Sequence, residues 1–79
     1  MTYAETIMKI KRERLDECPY YEIYDANKNL IKDGRNWESA VKNEIPKLLD
    51  ETKNYEVQFR HPYSNRYYTE YGLVVIREI

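Results

Sequence analysis

Glycine, cysteine and histidine are nearly absent from this 79-residue chain, with two, one and one respectively. Loops that cradle phosphate need glycines at fixed spacing, and neither Gly34 nor Gly72 sits in such a motif. Nucleotide-dependent chemistry is therefore not expected. A single cysteine, Cys18, excludes an intramolecular disulfide and a multi-cysteine zinc site. Cys18 and His61 alone cannot close a four-ligand zinc site without carboxylates, and no Asp/Glu spacing matches a calcium loop. No metal and no cofactor are expected. An excess of charge is missing too: 13 basic and 14 acidic side chains leave a net charge of −1. That balance speaks against a general nucleic-acid binder, which is usually basic, and equally against an acidic mimic of DNA. No long apolar run occurs, so no signal peptide, membrane span or membrane partner is expected. The Met1-Thr-Tyr-Ala-Glu start reads as a native terminus, and the expected compartment is the cytoplasm.

What the chain has in quantity is tyrosine: nine, beside one tryptophan and one phenylalanine. Tyrosine buries a large apolar body while its hydroxyl tolerates water. It serves equally as a strand former and as an interface residue. One domain of this length sits near the lower limit for an unaided core, so most apolar residues must serve stability.

Thr2 and Glu5 have the spacing of a capping box. Ala4, Ile7, Met8, Leu15 and, less cleanly, Cys18 then form a helical stripe, with Lys11 interrupting it and Lys9, Arg12, Glu13 and Asp16 opposite. We expect a helix over about residues 3–16; the competing reading is a strand over 7–12. Glu5 and Lys9 form a favourable i, i+4 pair. The charge run from Lys9 to Arg14 reads as a solvated helix face. Pro19 forces the preceding residue out of helical geometry. Tyr20–Tyr24 has strand composition, with Tyr21 and Ile23 on one face and Tyr20, Glu22 and Tyr24 on the other. Residues 25–29 form a turn and Leu30–Lys32 a short strand, which Asp33-Gly34 ends. Asn36 is an expected N-cap for a second helix carrying Trp37, Ala40, Val41, Ile45, Leu48 and Leu49 at helical spacing. Trp37 reads as a core anchor. Pro46 inside that pattern predicts a kink or a break.

The last third of the chain organises the rest. Tyr55, Val57, Phe59 and His61 alternate with Glu56, Gln58 and Arg60, the pattern of a strand with one wet face. Residues 62–66 are the expected turn and 67–79 the fourth strand. Leu73–Ile76 is apolar on both faces, which places it in mid-sheet. Gly72 reads as a bulge or a close backbone approach. The expected architecture is a small two-layer α+β domain in the order α-β-β-α-β-β. It comprises a four-stranded, mainly antiparallel sheet with two helices on one face and an open face lined by Tyr20, Glu22, Tyr24, Gln58, Arg60 and some of Tyr68 and Glu70.

No catalytic constellation stands out, and an enzyme is not expected. Cys18 falls on an apolar stripe beside a proline, and His61 ends a core-facing alternation, so neither reads as nucleophile or base. Large side chains unexplained by the core concentrate at Arg60, Tyr63, Arg66, Tyr67 and Tyr68, with Tyr20 and Tyr24 as an extension. Arginines interleaved with aromatics suit the anchor cluster of a protein interface. They also suit stacking and phosphate contacts to a single-stranded nucleic acid. A third reading is a metal-independent ribonuclease using His61 with Arg60 or Arg66. In size and helix-then-sheet layout the chain resembles small toxin ribonucleases; those are strongly basic, and no residue is carried over. In composition it looks like small proteins of bacterial viruses and mobile elements, which bind a host protein and block or redirect it. A tyrosine-rich chain of near-zero net charge without a catalytic constellation points to a cofactor-free protein-binding module acting by steric occlusion. A homodimer through an exposed strand edge is a further reading.

Overall fold

Thr2 opens the first helix with the expected reciprocal cap. Its Oγ1 accepts from the Glu5 N–H (3.3 Å), and a Glu5 carboxylate oxygen accepts from the Thr2 N–H (3.1 Å). The structure is a computed structural model and describes residues 1–12, 18, 20–35 and 40–79. Helix α1 spans Tyr3–Arg12; the expected continuation to 16, including Leu15, lies outside the described residues. The cap lies as expected, but the buried stripe does not. Thr6 and Ile10 are buried, with Tyr3 and Ile7 packed partly against the core, whereas Met8 is 58% exposed. The helix is rotated so that two polar residues face inward, because both find acceptors there. The Thr6 hydroxyl donates to the Thr2 carbonyl (2.8 Å) and the Tyr3 hydroxyl to the Pro46 carbonyl (2.9 Å). Lys9, expected in solvent, lies 5.9 Å from the centroid of the Phe59 ring.

Six strands follow. β1 (Tyr20–Tyr24) and β2 (Leu30–Arg35) form the first hairpin. The Asp25 carboxylate organises its turn by accepting from the N–H groups of Asn27 and Asn29, both at 2.9 Å. Lys28 takes the left-handed conformation there (φ 66°). β2 does not stop at Lys32 but runs through Gly34 to Arg35, antiparallel to β1. Gly34 continues the strand because it lies opposite Tyr21: a Cβ at Gly34 would stand 3.1 Å from the Tyr21 ring. After residues 36–39, where the expected N-cap Asn36 and core anchor Trp37 lie outside the described residues, a π-helical turn (Ala40–Glu44) leads into α2 (Ile45–Leu48). The break falls at Pro46. It stands in the first turn of α2, where no intrahelical partner is needed for its missing N–H.

β3 (Tyr55–Arg60) alternates buried and exposed residues as expected. The expected single fourth strand is divided. A small two-stranded arm, β4 (Tyr63–Ser64) with β5 (Thr69–Glu70), leaves the sheet, and β6 (Leu73–Glu78) returns to it. β6 sits in mid-sheet, as its apolar run requires: the strand order is β2-β1-β6-β3. The expectation of a mainly antiparallel sheet needs correction. The sheet is mixed, because β1 pairs with β6 in parallel, Tyr20 opposite Leu73 and Ile23 opposite Ile76. Two hairpins join side by side at their inner strands, and inner strands of separate hairpins are free to run either way. On one face Tyr21, Ile23, Val57, Val74 and Ile76 meet Ile10, Ile45 and Leu49 from the helical segments, forming the core. Cys18 and Tyr55 also belong to it.

Candidate functional site

The other face of the sheet carries Tyr20, Glu22 and Tyr24 on β1, Leu73, Val75 and Arg77 on β6, and Glu56, Gln58 and Arg60 on β3. These side chains range from half-buried to exposed. Arg77 makes a 2.7 Å ion pair with Glu56 across the strands. The Tyr24 hydroxyl donates to the Glu22 carboxylate (3.0 Å). That bond, with some desolvation and the nearby charge of Glu22, raises the Tyr24 pKa, while the charge of Arg60 pulls weakly the other way.

The arm projects from one end of this face. Every residue from Arg60 to Tyr71 is exposed. Its turn is held by Asn65, whose side-chain oxygen accepts from the N–H groups of Tyr67 (2.8 Å) and Tyr68 (3.0 Å). Its N–H in turn donates to the Tyr68 carbonyl (3.0 Å). Ser64 and Thr69 hydroxyls meet across the strands at 3.1 Å. The turn therefore rests on local polar bonds, and the aromatic rings decorate it. Tyr63 and Tyr68 contact each other at 5.8 Å between centroids, and Arg66 lies 5.6 Å from the centroid of Tyr67. Tyr67 is 83% exposed, and Tyr63, Tyr68 and Tyr71 are all more than half exposed.

Tyr20 meets the base of the arm through Tyr71, in an edge-to-face contact at 6.0 Å. The structure thus brings Tyr63, Arg66, Tyr67 and Tyr68 together on the arm and joins Tyr20 to it through Tyr71. Tyr71 was not singled out from the sequence, though its place between the arm and Gly72 was a signal for it. Tyr24 stands at the other end of β1, and Arg60 ends β3.

Between the arm and the β1–β2 hairpin lies a groove of about 510 Å³, lined by Tyr20, Glu22, Asp33, Arg35, Glu70 and Tyr71, with Leu73 and the backbone around Gly34. Cys18 is buried, with its thiol 3.7 Å from the Arg60 carbonyl, and His61 is exposed at the end of β3. Among the described residues, no group of three or more His, Cys, Asp or Glu side chains is placed to hold a metal ion, and no helix is long and apolar enough to cross a membrane. No protein-family model, curated protein or solved structure matches this chain.

Proposed function

We propose that this is a cytoplasmic, cofactor-free, non-enzymatic module that binds another protein through the arm and the adjoining open face of its sheet. The observation that carries the reading is the row of tyrosines on an arm that contributes nothing to the core. Tyr63, Tyr67, Tyr68 and Tyr71 hold large apolar rings in water, on a two-stranded ribbon of a kind that is marginally stable by itself. Rigid tyrosines on a locally ordered loop supply interface area at small cost in side-chain entropy. Arg60 and Arg66 pair with acidic groups of the partner, and Tyr20 and Tyr24 extend the contact along β1. Occupying the partner's surface is the proposed mode of action, as in a blocking or redirecting protein.

The test is capture of partners from host lysate with and without nuclease treatment, using the native chain and Arg66→Ala/Tyr67→Ala. Loss of a nuclease-resistant partner in the variant is the expected result; wild-type capture by the variant overturns this choice of surface. A single-stranded nucleic acid on the same arm gives a different signature, affinity that falls steeply as salt rises.

A further inference from the structure

The register of the first hairpin sets two acidic residues at directly opposed positions. Glu22 on β1 faces Asp33 on β2, on the open face, and both line the groove beside the arm. Like charges at directly opposed positions destabilise a sheet. The Tyr24 hydroxyl hydrogen-bonds Glu22, but that bond neutralises no charge. A third carboxylate, Glu70, enters from the arm; among the described lining residues the cation is Arg35, and the charge of Arg60 reaches Tyr24 beside Glu22. Among the described lining residues acidic groups outnumber basic ones, beside Tyr20 and Tyr71, whose rings meet edge to face.

A repulsion retained on a surface where either residue could be neutral without loss of packing marks a place where folding and function conflict. Resting on the protein-binding reading above, we infer that this groove receives a lysine or arginine side chain of the partner. The aliphatic stem lies along Tyr20, Tyr71 and Leu73, and aromatic rings attract such a cation. The ammonium or guanidinium settles among Glu22, Asp33 and Glu70 and relieves the repulsion between the first two. The same carboxylates repel a phosphate backbone, so the groove selects a basic protein segment over a nucleic acid.

The test uses the full chain labelled for NMR and three probes: an amidated tetra-arginine peptide, a tetra-glutamate peptide and a short single-stranded DNA. The expected result is that only tetra-arginine shifts the amides of Tyr20, Glu22, Asp33, Glu70 and Tyr71. Asp33→Asn/Glu70→Gln should weaken its binding about three- to thirty-fold. Asp33→Asn alone should raise the melting temperature of the free protein by about 1–6 °C, because the opposed charges are gone. Absence of tetra-arginine shifts at millimolar peptide, shifts that the double variant leaves unchanged, or DNA shifting the groove residues would each overturn the inference. Its failure is separable from that of the arm. A partner lost by Arg66→Ala/Tyr67→Ala but kept by Asp33→Asn/Glu70→Gln retains the arm and rejects the groove. Tetra-arginine binding that the groove variant weakens, together with capture that the arm variant leaves intact, does the reverse.

Discussion

Single side chains set two limits on this fold. Tyr21 is the largest fully buried side chain among the described residues, and its ring occupies the space that Gly34 leaves on the neighbouring strand. With the ring held in the core, a methyl at position 34 would press on it at 3.1 Å, and Gly34→Ala should cost about 1–3 kcal/mol in urea unfolding. The second limit is proton-linked. Hydrogen bonds from Thr2 hold the Glu5 carboxyl below its ordinary value of 4.5, and bonds from Asn29 and Thr52 do the same for Asp25 and Asp50, ordinarily 3.8. A carboxyl with a lowered folded pKa adds stability above its unfolded pKa and loses it as pH falls through the folded one. Tyr21 and Tyr55 are shifted upward from 10.0, chiefly by desolvation. Their contribution is complete below pH 10 and is lost as pH rises through the raised values. Unfolding free energy should therefore fall below about pH 4 and above about pH 10. In Tyr21→Phe the alkaline loss should shrink relative to the native chain.

The secondary-structure elements differ in how far the sequence announced them. β1 and β3 were legible because each has one wet face, so alternation alone places Tyr21, Ile23, Tyr55 and Val57 inside. The cap on α1 was legible because its chemistry is local. The phase of α1 was not: the stripe of Ala4, Ile7 and Met8 omits Thr6 and Tyr3, whose hydroxyls turn inward to the Thr2 and Pro46 carbonyls. The division of the last strand was also hidden, since Tyr67–Ile79 is continuous in strand composition and the turn at Asn65 depends on a side-chain bond. Within the candidate site, the sequence pointed to the arm, while the groove required the register of β1 against β2. The arm, bonded within itself and exposed throughout, should be dispensable for folding. Replacing residues 63–70 by Asn-Gly should move the melting temperature by less than about 4 °C and abolish partner capture.

At the scale of the molecule, β6 joins the two halves. Val74 and Ile76 are fully buried and pair with β1 on one side and β3 on the other. Ile76→Ala should cost about 2–5 kcal/mol, against a total stability of about 4–12 kcal/mol for a chain of this length. Urea unfolding should show a large share of the stability gone, and in the native chain the β6 amides should exchange with deuterium more slowly than those of β2. That β6 pairs in parallel with β1 was invisible in the sequence, because each hairpin is internally complete and nothing local states how two hairpins meet. The pairing also sets the timing of folding. Tyr20 must wait for Leu73, across most of the chain's length, and contacts so remote in sequence close slowly. During synthesis the first hairpin emerges with the inner edge of β1 bare and stays so until the last strand is made. For that interval Tyr20–Tyr24 is an unprotected strand edge, a place where a chaperone or a second nascent copy could bind before the native neighbour arrives.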